Sequence, residues 1–148
     1  MSNVDQNLVE SLKALLANGY LLLLKTQNYH WNVTGSHFSS LHALFEEQYN
    51  DLFAANDEVA ERIRALGVFA PGSYKAFMEY AKVSEETDVP KSMDMVKNLA
   101  NDHKIMAELA QALIEAGEAA NDEVSVDMGV QRKTVHEKTH WMLSSHLE

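Results

Sequence analysis

Two histidines and two carboxylates, His30, His42, Asp57 and Glu61, have the types and spacing to hold a metal ion. Imidazole nitrogen and carboxylate oxygen are the ligands of a transition-metal site built without thiolate, and the chain has no cysteine to supply one. Asp57 and Glu61 are four residues apart, so they share one face of a helix. His30 lies shortly before the Thr34-Gly35-Ser36 stretch and His42 shortly after it, so a helical hairpin turning there sets the two imidazoles level. His42 and Asp57, however, are separated by roughly 22 Å of straight helix, whereas ligands approach an ion to about 2 Å. One subunit therefore cannot bring all four groups to one ion.

A two-fold dimer can. The stretch from His42 to Asp57 turns the helix only about 60° past four full turns, so both side chains project from the same side. Antiparallel pairing of this helix with its own copy, about an axis near Tyr49 to Asp51, sets His42 opposite the partner subunit's Asp57 and the partner subunit's Glu61. Symmetry then creates two identical sites. Such a ligand set suits ferrous iron, with zinc as a competing occupant. Each piece also has an ordinary structural reading. A histidine near a helix end can cap or sit on the surface, and Asp57-Glu58-Val59-Ala60-Glu61-Arg62 can be a solvated face neutralised by Arg62 and Arg64.

The elements that must position these groups are helical. Apolar residues recur at helical spacing from about Asp5 to Val33 and from about His37 to Leu66. Gly35 reads as the stop of the first helix and Ser36 as the N-cap of the second. Gly67 and Pro71-Gly72 end the second. Ser73 to Asp88 holds a short helical pattern (Tyr74, Phe77, Met78, Ala81) and then an acidic turn. A third long helix is expected from near Asp88, with Pro90 in its first turn, to Gly117, and a fourth from Asn121 or Asp122 onward. The fold class is all-α: a four-helix bundle in one domain spanning residues 1–148, with a short extra helix between helices two and three. The long connection requires a crossover unless it packs along the side of the bundle.

Twelve basic residues stand against 22 acidic ones, a formal charge of −10, and Lys13 is the one basic side chain among the first 24 residues. Such a surface repels nucleic acid, whose binding rests on phosphate neutralisation. The balance suits a protein that collects cations, and it equally well just keeps a protein soluble. No apolar run is long enough to span a membrane, and Met1 to Asp5 lack the basic start of a secretory leader. The absence of cysteine fits a cytoplasmic location.

The stretches Asn28-Tyr29-His30-Trp31-Asn32-Val33-Thr34-Gly35, Phe38-Ser39-Ser40-Leu41-His42-Ala43-Leu44-Phe45-Glu46 and Asp57-Glu58-Val59-Ala60-Glu61-Arg62-Ile63-Arg64-Ala65-Leu66-Gly67 resemble the signature of the Dps family of mini-ferritins. The likeness extends to Thr134-Val135-His136-Glu137-Lys138-Thr139 and Trp141-Met142-Leu143. It implies a ferritin-like subunit of a hollow dodecamer that oxidises iron and stores a ferric mineral, with hydrogen peroxide as the preferred oxidant. It also implies ferroxidase centres shared across the two-fold, with His30 and His42 from one subunit and Asp57 and Glu61 from the other. Glu46 and Glu47 are candidates for mineral nucleation or iron transfer, or are ordinary surface charge. Trp31 either flanks the centre or is a core aromatic. Asp122 and Asp127 either line entry pores at the three-fold or complement a helix dipole.

The family binds DNA where a tail is basic. Residues 1–12 carry no Lys or Arg, so DNA binding is expected to be weak or absent. Two other readings stand beside this one. The first is a di-iron site inside one bundle, for which Glu137-x-x-His140 matches one half of the motif and the second half is missing; His136 and His140 are then expected at the surface or an interface. The second is a non-enzymatic nucleoid-protecting or adhesion shell.

Overall fold

The computed structural model describes residues 5–148; residues 1–4, part of the segment read above for a leader, lie outside it. Four long helices form, α1 (Gln6–Asn32), α2 (Phe38–Ala65), α4 (Ser92–Ala119) and α5 (Glu123–Ser144), with a short α3 (Tyr74–Met78) between α2 and α4 and a final 3₁₀ turn (Ser145–Leu147). Among the described residues no helix is long and apolar enough to cross a membrane. The apolar stripes read from the sequence meet in the middle. Leu12, Leu16 and Leu22 of α1, Phe45 and Leu52 of α2 and Leu99 of α4 are almost wholly out of water.

The helix ends show where spacing misled. α2 begins after His37, and Ser36 is not its cap; the turn closes instead through Phe38 N–H to Gly35 C=O (3.1 Å), with Gly35 at φ 108°. α4 begins at Ser92, not near Asp88, and Pro90 precedes it. A proline disfavours helical backbone in the residue before it, and Lys91 is itself extended (ψ 155°). At its other end α4 runs past Gly117 to Ala119, and the left-handed residue that stops it is Asn121 (φ 56°). Asp122 N–H reaches Gly117 C=O (2.8 Å) and Asn121 N–H reaches Glu118 C=O (3.2 Å), the paired bonds of a Schellman ending. Gly117 instead lets the α4–α5 turn close: a Cβ there would sit 2.8 Å from Val126 Cγ2. Asp122 caps α5 through Ser125 N–H (3.1 Å), and the helix starts at Glu123, just past the Asn121 or Asp122 expected from the sequence.

Contacts fix the helix directions. Lys25 meets Asp102 and Tyr29 meets Asn98, so α1 and α4 are antiparallel. α1 and α2 are also antiparallel, since His30 stacks on His42 near the turn. α2 and α4 therefore run the same way, and residues 66–91 must travel back along the bundle, a path of about 42 Å for a 28-residue helix. That crossover is tied to α1. The fully buried Asn18 donates to Tyr80 C=O (3.0 Å) and accepts from Lys82 N–H (2.7 Å) and Val83 N–H (2.9 Å). Lys25 Nζ donates to Ser84 C=O (2.8 Å), and Tyr29 Oη donates to Glu86 Oε1 (2.6 Å).

Asn18→Ala leaves two N–H groups and a carbonyl of the crossover without partners. Urea denaturation followed by far-UV circular dichroism is expected to show a loss of about 3 kcal/mol, with native helix content retained. A loss under about 1 kcal/mol would show that the crossover is held elsewhere.

Candidate metal centre

His30 is in the last turn of α1, where carbonyls have no partner in their own helix. His42 Nδ1 lies 2.7 Å from the His30 carbonyl, and His30 Nδ1 lies 2.7 Å from the His42 carbonyl. A carbonyl can only accept, so each Nδ1 carries a proton, and in the neutral ring the lone pair is on Nε2. This exchange fixes both tautomers, as a metal site requires of its histidines. The rings stack at 3.8 Å between centroids, Phe38 stacks on the outer face of His42 at 5.1 Å, and Tyr49 meets His30 edge-on at 5.2 Å. His30 is buried and His42 half-buried, so neither is an ordinary surface histidine.

The exposed Glu46 completes a three-ligand cluster. One ligand atom each from His30, His42 and Glu46 lie within 4.8 Å of one another, with Glu46 Oε1 3.9 Å from His30 Nε2. Glu47, also exposed, is not in the cluster. Trp31 is 60% exposed, so the core-aromatic reading fails for the isolated subunit: it points off the bundle beside the buried His30.

Asp57 and Glu61 stand exposed further along α2 and do not join the histidines within the subunit. The arginines that could have neutralised them are engaged elsewhere. Arg62 donates to both Asp122 oxygens at 2.7 Å and to Ser125 Oγ at 3.1 Å. Arg64 lies over the Phe69 ring at 4.5 Å and donates to Val68 C=O. Among the described residues Asp57 and Glu61 form no ion pair, so an intrahelical salt-bridge face does not account for them. Asp122, drawn into this bond pattern and held below the usual carboxylate range by Arg62 and Ser125 against the effect of burial, is committed within the subunit. Asp127 is exposed and bonds only its neighbour Gln131 (2.8 Å).

A family model for the ferritin-like domain matches residues 9–148. The chain is 31% identical over 147 residues to the DNA protection during starvation protein of Brevibacillus brevis, with 99% of each covered. It superposes on Dps from Staphylococcus aureus with a TM-score of 0.94 at 34% identity, again with 99% of each chain covered. The chain belongs to the Dps family of ferritin-like proteins. Dps from Vibrio cholerae, described as a member of a broad superfamily of ferritin-like diiron-carboxylate proteins, matches with a TM-score of 0.93 at 32% identity over 97% of this chain and 91% of that one. A low temperature-induced protein of Nostoc is 39% identical over 145 residues, 97% of this chain and 81% of its own length.

Inside this Dps bundle lies a second histidine pair that spacing did not reveal. His136, expected at the surface or an interface, is fully buried within the subunit, with its Nδ1 2.9 Å from Nδ1 of the buried His103 on α4. Gly129 lets α4 and α5 come this close, since a Cβ there would sit 3.1 Å from Ala110 C=O. His140 is half-buried, its Nδ1 donating to Ala100 C=O at 2.7 Å, while Glu137 is exposed. The only earlier signal was the position of His103 on the apolar face of its helix.

Burial, with Arg132 adding repulsion, pushes His103 down to about 3, and burial drives His136 well below its ordinary value. Both are neutral in the native state but take protons near pH 6.5 once unfolded. Their contribution is complete above that pH and is lost as pH falls below it, by up to about 1.4 kcal/mol per pH unit per histidine. Urea titrations at pH values from 7.5 down to 5 are expected to show that decline, with a shallower slope in His103→Phe. Stability independent of pH over this range would contradict a neutral buried pair.

Proposed function

We propose that the chain is an iron-storing, iron-detoxifying subunit that oxidises ferrous iron at centres shared between two copies. The observation that carries this reading is the reciprocal His30–His42 exchange. It spends each Nδ1 proton on the opposite helix and presents two Nε2 lone pairs beside Glu46. The remaining ligands, Asp57 and Glu61, lie roughly 22 Å along α2 and are supplied by the partner. Ferrous iron is the substrate, and hydrogen peroxide is the preferred oxidant. Each peroxide accepts one electron from each of two ferrous ions and two protons, its O–O bond breaking to give two waters. Neutral imidazoles and ionised carboxylates hold the iron and leave positions open for the oxidant.

Glu46, within reach of His30, serves as an additional ligand or passes ferric iron toward a mineral, and Glu47 continues that acidic surface. Exposed Asp127 is the better pore candidate, because Asp122 is tied to Arg62. Trp31, beside His30 and open to solvent, is placed to face the partner or to intercept oxidising equivalents. Zinc competes for the same ligands. The working form in this reading is a cytoplasmic dodecamer, and its acidic surface leaves DNA binding weak or absent, so protection comes from removing iron and peroxide.

The test is anaerobic loading with ferrous iron, addition of peroxide and optical measurement of ferric product. His30→Ala and Asp57→Ala are each expected to lose at least about tenfold in initial rate, since losing even a residue that supports a ligand costs 10–100-fold. Subunits of the two variants, unfolded, mixed and reassembled, should regain activity, because a mixed dimer restores one complete centre. Absence of rescue in assembled mixtures would sink the shared centre. Native-like rates in both single variants would sink the site altogether.

A further inference from the structure

A layer of buried polar side chains crosses the middle of the bundle, away from His30 and His42. Five residues back from His30 and six on from His42, Lys25 and Gln48 come level on the α1–α2 hairpin. Lys25 meets Asp102 at 2.9 Å, and the next residue on α4 is His103, paired with His136. Arg132, one turn before His136, joins the layer to Asp51 on α2 at 2.8 Å. Lys25, Gln48, Asp102, His103, Arg132 and His136 are all buried.

The hydrogen-bond direction through this layer is determined. Arg132 is always protonated and only donates. Its Nη2 lies 3.2 Å from His136 Nε2, so that nitrogen accepts and the His136 proton is on Nδ1. His136 Nδ1 therefore donates to His103 Nδ1, which places the His103 proton on Nε2. The opposite tautomers would set an N–H of His136 against an N–H of Arg132. His103 Nε2 has no protein partner, and neither end of the Gln48 amide has one. Asp102 Oδ2, by contrast, is ion-paired with Lys25 Nζ at 2.9 Å. The chain thus ends in a buried donor, the Gln48 amide in the same layer is also without a partner, and such groups in native interiors are met by water.

We propose that this layer is a binding site for a neutral, hydrogen-bond-accepting guest, an internal water on His103 Nε2–H with the Gln48 amide as its second partner. The guest is not a metal ion. His136 has both nitrogens committed, His103 presents a proton rather than a lone pair, and Lys25 and Arg132 supply the layer's positive charge. A ferritin-like bundle with histidine and carboxylate at its centre is thereby closed to cations, and metal chemistry is left to His30 and His42.

The test is crystallography of the native protein at a resolution that orders buried water, with zinc-soaked crystals as a second arm. The expected result is one water peak within hydrogen-bonding distance of His103 Nε2 and of the Gln48 amide, absent in His103→Phe, with no anomalous zinc signal in the layer. A dry His103 Nε2, a peak that persists in His103→Phe, or zinc bound among these side chains would each overturn the proposal. Zinc at His30 and His42 with none in the layer separates this inference from the fate of the proposed ferroxidase centre.

Discussion

The helices α2 and α4 and the crossover between them take their positions from α1, and a sequence of inward-facing polar residues on that helix sets the register. Gly19 allows Asn56 of α2 to press against the α1 backbone, where any Cβ would collide with the Asn56 carboxamide. Asn18 holds the crossover, Lys25 holds both the crossover and α4, and Tyr29 bonds Glu86 and Asn98. Apolar packing supplies most of the burial but tolerates sliding, because leucine faces fit one another in several registers. Directional bonds do not, and a buried group left without its partner is costly. Placing the polar contacts on one helix makes α1 the ruler against which α2, α4 and residues 66–91 are aligned.

That register reaches the candidate metal centre without a loop intervening. His30 is one residue on from Tyr29, on the same helix that Tyr29 fixes against α4. Its carbonyl is free because α1 is about to end, and His42 takes it. The imidazoles are thus aimed by backbone atoms of two anchored helices, a support that does not depend on flexible side chains. Glu46 contrasts with them: it is half exposed, is 3.9 Å from His30 and can adjust as charge in the site changes.

Much of this was legible in the sequence, for identifiable reasons. Heptad-like apolar spacing marks four helices because a buried stripe must recur every turn, and the level placement of His30 and His42 follows from a short antiparallel turn. The helix ends were less legible. Ser36, Pro90 and Gly117 all carry the residue types of boundaries. Yet the boundaries fell where backbone conformation required them, at His37, at Lys91 and at the left-handed Asn121. Gly117 illustrates the ambiguity: glycine ends helices and also lets them touch, and only the neighbouring Val126 shows which applies. The inner layer was hidden for a different reason. His103, Arg132 and His136 come from two helices, and their meaning lies in contacts across 33 positions of chain or fewer that no spacing rule within one helix reports.

The two groups of ionisable residues follow opposite rules, and this contrast supports the proposed shared centre. The buried Asp102 faces Lys25 and the partly exposed Asp51 faces the buried Arg132, so each acid of the layer has a cation, and burial keeps His103 and His136 neutral. On α2 the arrangement is reversed: Arg62 and Arg64 are drawn off to Asp122 and Phe69, leaving Asp57 and Glu61 without cations. A helix selected only for stability would gain from pairing Glu61 with Arg64, three residues on. Directing the arginines elsewhere forgoes that small gain and keeps two carboxylates available. In the proposed centre, the unpaired acids on one stretch of α2 and the imidazole Nε2 atoms near its start are complementary, and a two-fold axis between them is the simplest operation that joins them.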